Sequence, residues 1–472
     1  MTAPLVTKPS GFKSTMLKGG RDLAVREIVG IALSLLATVF IFRKVGPVAY
    51  GYVGVGLALS GFLTGIGSLG LNVYLIRKSD LDEDGPRQLL TMLIASATVI
   101  SVALWFSAPL VELWAGKRGL TPLVHVVAIA IFFKLISLVS TALLERELKF
   151  GLAAAIDFGS LIVYYAVVLP LVFAGWSYMG IWIGNAVQVI VATAAFFIAR
   201  PVRPTIRLSR TFVRDALSFG VAYQGSVWVY SLRDLAAPLL LPRLASMEAL
   251  GLVTAATQLV QRMGFFKTVV WRLSISGFAK LQDDTEALAR SITEGMLFQV
   301  VLLGGGLSLF ASVGSWAIPL VFTDKWGGVA TVFPFLAAAA LINGVFTLHS
   351  SALFARGKVW AVTKYHIVFV LLLWGSSAAL IPVLGVWGYA GAEIVAMGSY
   401  VYLAFLTRDD IGSIPYGSVL VTLPLVLLPL FAGPWLPAVW AVVLWFVCAG
   451  FAVVLVPRVR VVLRETVGVL RG

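Results

Sequence analysis

The sequence predicts an all-α polytopic membrane protein of about fourteen transmembrane helices, and three observations predict it. The 472-residue chain is 60% hydrophobic and only 12% charged, with a mean hydropathy of +0.96. A soluble domain has too little interior to hide that much apolar surface. Fourteen apolar runs approach or exceed the roughly 20 residues with which a helix crosses about 30 Å of hydrocarbon. Most Lys and Arg lie in alternate gaps between those runs, the bias that orients membrane helices. Runs this long and without alternation are helices, not barrel strands.

The candidate spans, in order, are 23–42, 51–75, 89–111, 122–144, 152–174, 178–199, 216–241, 249–270, 291–313, 329–354, 360–382, 386–406, 417–432 and 436–456. The first follows a polar, basic stretch and lacks a small-residue cleavage site, so it is expected to be a retained span. With a cytoplasmic N-terminus, the outside gaps hold only Arg43, Lys44, Lys117, Arg118, Arg243 and Lys325. Lys134 and Arg233 fall deep within spans, and the rest of the 36 basic residues lie on the inside, in gaps or, for Arg26, Arg262, Lys267 and Lys364, toward the inside ends of spans. Both termini are therefore expected to be cytoplasmic.

The net charge of +14 then sits against an anionic leaflet. No basic stretch outside the spans is interleaved with stacking aromatics, so no nucleic-acid partner is expected. The one cysteine, Cys448, excludes an intramolecular disulfide and a thiolate metal cluster. His125, His349 and His366 lack ligand spacing, so no metal or other cofactor is expected. No gap is long enough for a soluble domain, which speaks against an enzyme with a folded catalytic domain.

The chain repeats itself. Arg43 to Tyr52 (RKVGPVAYGY) parallels Arg243 to Leu252 (RLASMEALGL), with Gly51 matching Gly251. Leu81-Asp82-Glu83-Asp84 parallels Leu281-Gln282-Asp283-Asp284 at the same offset. An offset spanning an even number of helices gives parallel repeats, and transporters so built bind substrate at the repeat interface. The predicted organisation is an N-terminal lobe of helices 1–6 (1–199), a basic linker (200–215), a lobe of helices 7–12 (216–407), and helices 13–14 with a basic tail (408–472).

Gly51-Tyr52 after a short outside turn, the stretch Phe278-Ala-Lys-Leu-Gln-Asp-Asp284, and the Gly251 segment leading into Gln261-Arg262 together resemble polysaccharide-export flippases. These are the Wzx-type oligosaccharide repeat-unit flippases of the superfamily that also holds multidrug-extrusion antiporters and the peptidoglycan-precursor flippase. An acidic residue late in span seven, here Asp234, belongs to the same resemblance. It implies a V-shaped pair of six-helix lobes plus two extra helices. It also implies translocation of undecaprenyl-diphosphate-linked oligosaccharides across a bacterial inner membrane by alternating access. The substrate lipid and membrane lipids would be its partners, with a polysaccharide polymerase and a chain-length regulator as candidate protein partners.

Charges inside spans are expensive and are kept where they face a cavity or a partner. A lipid diphosphate needs a wet, cationic cleft, for which Arg suits bidentate phosphate contacts. Arg26, Lys134, Arg233, Arg262 and Lys267 are the candidate diphosphate ligands. Asp157, Asp234 and Glu393 are the candidate carriers of a coupling proton or sodium ion. Snorkelling accounts equally well for Arg26 and Lys267 near span ends. Lys134 and Asp157, on consecutive helices, are alternatively a buried packing pair. Arg233 and Asp234 are adjacent, so they are expected to point apart and not to neutralise each other.

Other motifs carry less. Gly65-Ile-Gly67-Ser-Leu-Gly70 matches a dinucleotide fingerprint but closes a membrane helix instead of following a strand. Gly61 and Gly65 have the spacing of close helix packing. Asp82-Glu83-Asp84 imitates the acidic motif of sugar transferases in a gap too short for one. Tyr223, Trp228, Tyr230 and Trp271 are candidates for stacking on sugars. The rivals are a multidrug or cation antiporter, which should favour an acidic lumen, and a peptidoglycan-precursor flippase. From other classes come a membrane polysaccharide polymerase or ligase, which should display a larger outside loop, and a scaffold.

Overall fold

A computed structural model describes residues 34, 36–78, 82, 84–264, 274, 277, 278, 281 and 284–471, with side chains through 464. Every regular element among the described residues is helical. Helical backbone at 36–44 precedes α1 (Pro47–Gly67), α2 (Leu71–Arg77), α3 (Gly85–Ala115), α4 (Leu120–Arg146), α5 (Phe150–Phe173) and α6 (Ser177–Ala199). Then come α7 (Arg210–Ser231), α8 (Ala236–Leu244), α9 (Met247–Met263), α10 (Thr285–Gln299), α11 (Gly305–Phe322) and α12 (Gly327–Ala355). The chain ends with α13 (Val359–Leu384), α14 (Val386–Ala396), α15 (Ser399–Ile411), α16 (Gly417–Ala432), α17 (Ala438–Leu455) and α18 (Pro457–Arg471).

Eleven described helical segments are long and apolar enough to cross a membrane. The protein is a multi-pass membrane protein. Of the other expected spans, 23–42 lies largely outside the described residues, and 249–270 is described only to Gly264, α9 ending at Met263. The third, 216–241, is not one helix: α7 gives way at Leu232–Leu235 to a 3₁₀ turn before α8. Pro238 is the reason, because it has no N–H for the Asp234 carbonyl and its ring would clash with that carbonyl.

The duplication persists in the helix starts. Proline 47 opens α1 and Met247 opens α9; Gly85 opens α3 and Thr285 opens α10. The acidic turns cap the second pair: Asp82 Oδ1 accepts from the Gly85 N–H at 2.8 Å, and Asp284 Oδ1 from Ala287 N–H at 2.9 Å. Later turns match too. Leu148 and Gly357 both have positive φ, and Lys149 (φ −83, ψ 44) and Lys358 (φ −82, ψ 45) begin α5 and α13 alike. Each turn is tied to a later helix end by charge, Glu147 to Arg200 at 2.6 Å and Arg356 to Asp410 at 2.5 Å.

Contacts divide the chain into two compact units. One comprises Met1–Val45, Leu63–Leu110 and Gly119–Gln224. Its core joins Leu71, Tyr74 and Leu75 of α2 to Leu89 and Leu93 of α3, Val139 and Leu143 of α4, and Ala216 of α7. The expected span 51–75 is interrupted here: α1 ends at Gly67, and Leu69 (φ 49) and Gly70 (φ 68) turn the chain into α2. A Cβ on Gly220 would fall onto the Leu69 carbonyl oxygen. The glycine-rich motif thus serves a left-handed turn and a close backbone approach. The linker is held in the same unit, Thr205 N–H donating to Thr91 Oγ1 at 3.0 Å and Ser209 N–H to Gln88 Oε1 at 2.8 Å.

The other unit comprises Gly46–Phe62, Val111–Arg118 and Gly225–Gly472. Helix α12 runs through its core, with Phe333, Leu341, Leu348 and His349 buried. The start of α1 crosses α9 where the repeat glycines meet. A Cβ on Gly51 would strike the Met247 carbonyl oxygen, and one on Gly251 would strike that of Pro47. The contact is reciprocal: each glycine lacks a Cβ where the backbone of the other helix passes. Gly61 and Gly65, by contrast, have nothing within 4 Å of an added Cβ. Their spacing does not mark close packing here, whereas Gly51 and Gly251 do sit at a close helix crossing.

Candidate functional site

The structure gathers three of the predicted charges inside one unit, Arg233 and Glu393 with buried side chains and Asp234 exposed beside them. Arg233 sits in the 3₁₀ turn between α7 and α8, its side chain only 16% exposed. Glu393 lies in the last turn of α14, its side chain 6% exposed, just before Met397-Gly398, where the helical backbone tightens to i→i+3 hydrogen bonds on its way into α15. Nη2 of Arg233 is 3.8 Å from Glu393 Oε2. The guanidinium donates from Nη1 to Tyr230 Oη at 2.7 Å. Its carbon lies 5.1 Å from the Tyr230 ring centroid and 4.9 Å from that of Phe369. One turn back on α14, Tyr389 Oη donates to Glu393 Oε1 at 2.8 Å.

Adjacency did not separate Arg233 from Asp234, contrary to the helical expectation. The tighter 3₁₀ turn brings Asp234 Oδ1 to 3.9 Å from Arg233 Nε, although Asp234 is 65% exposed. Tyr230, a candidate for sugar stacking, instead holds Arg233 and packs against His366, ring centroids 4.8 Å apart. His366 Nδ1 lies 3.3 Å from Ser226 Oγ. Deeper in, Asn343 Nδ2 donates to Tyr400 Oη at 2.8 Å, and the Tyr365 ring lies 5.5 Å from that of Tyr400. Trp374 Nε1 donates to the Leu232 carbonyl at 3.0 Å, satisfying a backbone group at the break.

The remaining candidates are not brought into this cluster. Lys134 on α4 and Asp157 on α5 are both exposed in the other unit and form no ion pair with each other, so the packing-pair alternative is not realised. Arg262 is exposed near the end of α9. Arg26, Lys267 and the stacking candidate Trp271 lie outside the described residues. Among the described residues no three His, Cys, Asp or Glu side chains come together as a metal site.

Sequence reasoning missed Tyr389, Phe369, Asn343 and Tyr400. For Tyr389 a signal existed, since it precedes Glu393 by four residues on one helical face. Asn343 was legible as an amide within an apolar run.

Outside the spans, charges are paired near the unit surfaces. Lys78 contacts Asp215, and Tyr74 Oη donates to the same carboxylate at 2.7 Å. The hydrogen bond from Lys78, then that from Tyr74, holds the Asp215 carboxyl below the usual range, and the Lys78 ammonium is raised in turn, chiefly by Asp215. Glu147 is lowered by its hydrogen bond from Lys149 and by Arg200.

A multi-pass helical chain with a buried Arg–Glu pair among its helices has the construction of a membrane transporter, and the comparisons agree. Its fold matches a structure described as lipid II flippase MurJ in an inward closed conformation, at TM-score 0.72 and 12% identity, covering 94% of this chain and 99% of that one. It also matches an inward-facing multidrug resistance MATE family transporter of the MOP superfamily, at TM-score 0.64 and 13% identity, covering 83% and 98%. These are transporter folds, not enzyme folds. The chain belongs to the polysaccharide biosynthesis protein family, whose model matches residues 41–332. It is 21% identical over 396 residues to the lipopolysaccharide biosynthesis protein WzxC of Escherichia coli (strain K12), covering 82% of this chain and 78% of that protein. It is 23% identical over 316 residues to the teichuronic acid biosynthesis protein TuaB of Bacillus subtilis (strain 168), covering 66% and 64%.

Proposed function

We propose that the protein is a flippase that carries undecaprenyl-diphosphate-linked oligosaccharide repeat units from the inner to the outer leaflet of a bacterial inner membrane. In this reading fourteen spans form two six-helix lobes, helices 1–6 and 7–12, with helices 13 and 14 appended and both termini cytoplasmic. Inward-open and outward-open states alternate, and a polymerase and a chain-length regulator act on the product. The single observation that carries the reading is the buried Arg233 within a chain of the polysaccharide biosynthesis family. Hydrocarbon tolerates a guanidinium only with a partner or a purpose. Its planar fork of donors suits a diphosphate better than a cationic drug. Family membership and the names of WzxC and TuaB support a polysaccharide precursor over peptidoglycan precursors or drugs.

The test is deletion in the native bacterium followed by labelling of lipid-linked oligosaccharide in spheroplasts with an impermeant lectin. The proposal expects the precursor to accumulate where the lectin cannot reach it, and re-expression to restore access. Wild-type access in the deletion strain, with no second flippase expressed, would end it.

A further inference from the structure

Arg233 has more hydrogen-bonding capacity than the resting protein uses. A guanidinium presents five N–H donors, yet its hydrogen bond in the structure goes to Tyr230 Oη. Two carboxylates bracket it without closing on it, Glu393 at 3.8 Å and Asp234 at 3.9 Å. Charge-assisted N–H···O bonds run at about 2.7–2.9 Å, so both pairs compensate charge without hydrogen bonding. On the acid side, Glu393 Oε2 is buried and has no hydrogen-bond donor, while Oε1 is held by Tyr389. The Tyr230 and Phe369 rings cover the guanidinium faces, and the fork of edge donors is left to an acceptor.

We propose that Glu393 is a resting counter-ion, positioned by Tyr389, that the diphosphate of the substrate displaces from Arg233 and that takes Arg233 back when substrate leaves. The inference rests on the flippase reading above and assigns Glu393 the regulation of that site. Three physical points carry it. An arginine left alone in a membrane protein interior is costly, so the empty transporter needs an internal anion beside it. That anion must yield, and an ion pair lacking hydrogen bonds yields more readily than a bidentate one. Both partners sit beside tightened turns of helix, Arg233 in the 3₁₀ turn and Glu393 just before the i→i+3 bonds at Met397-Gly398, and end positions of helical elements are where small dihedral changes absorb a shift. Asp234, mostly exposed, is the second carboxylate beside Arg233. A carboxylate competing for Arg233 keeps the site from holding a diphosphate too tightly to release it. Glu393 thereby exchanges affinity for turnover.

The experiment places the full chain in phosphatidylcholine nanodiscs and titrates it with undecaprenyl diphosphate, with undecaprenol as the uncharged control. Glu393→Gln removes the competing charge and should bind undecaprenyl diphosphate about tenfold tighter than wild type, the factor that corresponds to 1.4 kcal/mol. It should also flip more slowly. Tyr389→Phe, which frees the carboxylate from its tether, should tighten binding less. Undecaprenol affinity should not change in either variant. If Glu393→Gln is not recovered as a monodisperse protein, Glu393→Asp, whose shorter side chain retreats from Arg233, should show intermediate tightening. Unchanged or weaker diphosphate binding in a folded Glu393 variant overturns the counter-ion role. The flippase reading survives that result if Arg233→Lys weakens diphosphate binding, and loses its site if Arg233→Lys binds as wild type.

Discussion

Replacing Gly251 by alanine puts a methyl group where the structure holds the carbonyl oxygen of Pro47, with the Gly51 N–H close behind. The obstacle is backbone, so no side chain can rotate away and α1 and α9 must part. Overpacking against movable neighbours costs about 1–3 kcal/mol. Separating packed surfaces by 0.5–1 Å also forfeits roughly a quarter to a half of each contact's attraction. We therefore expect Gly251→Ala to cost about 3 kcal/mol, at the top of that range. Gly54→Ala meets the Thr254 side chain, which can turn, and should cost less. Gly61→Ala meets open space and should gain about 0.5–1 kcal/mol from the better helix former. The assay is heat treatment of detergent-solubilised protein followed by size exclusion, reading the temperature at which the monodisperse peak is lost. The predicted order of stability is Gly61→Ala at or above wild type, then Gly54→Ala, then Gly251→Ala lowest. Gly251→Ala as stable as wild type, or all three shifting alike, would refute the close crossing of the repeat glycines.

Further outcomes follow from the same structure. Arg233→Met strands Glu393 as a buried, uncompensated charge, which costs about 3–5 kcal/mol when a buried pair is broken. Membrane abundance should fall, and Arg233→Met with Glu393→Gln should restore abundance but not polymer export, both read by quantitative immunoblot and polymer assay. Asp215 has a lowered carboxyl pKa, so its stabilisation is present above the unfolded value near pH 4 and lost as pH falls through the folded one; the raised Lys78 loses its part only in strong alkali. The melting difference between wild type and Asp215→Asn should thus be flat from about pH 5 to 9 and vanish in acid. Ile206 is fully exposed in the linker and native Cys448 is buried, so Ile206→Cys should react with an impermeant maleimide in inverted vesicles and not in spheroplasts. Arg262→Ala should reduce export at normal abundance, with unchanged export removing Arg262 from the pathway.

Much of this architecture is legible in the sequence because lipid is an exacting solvent. Backbone groups must be satisfied within each crossing, so apolar runs become helices wherever proline or glycine does not intervene. Even the interruptions have local causes: Pro238 explains the break after Ser231, and Leu69-Gly70 the break after α1. The repeat was readable from Gly51 and Gly251, yet why glycine stands there emerged only when the two backbones were seen to cross. Gly61 and Gly65 carried the same spacing signal with nothing opposite them, since spacing describes one helix and packing needs two. The pairing of Arg233 with Glu393 was not readable, for 160 residues separate them and no local period connects charges on different helices. Each was picked out singly because charge is costly in hydrocarbon, but as ligand and coupling group, not as partners.

The central claim is most directly tested by reconstitution. Purified protein in liposomes that carry fluorescent undecaprenyl-diphosphate oligosaccharide should speed the precursor's passage to the outer leaflet, read as quenching by an impermeant reductant. Arg233→Met with Glu393→Gln, folded but without the site, should leave that passage at the protein-free rate. Equal flipping by wild type and the double variant would contradict a role for Arg233, and no flipping by folded wild type, with or without an imposed ion gradient, would contradict the flippase itself.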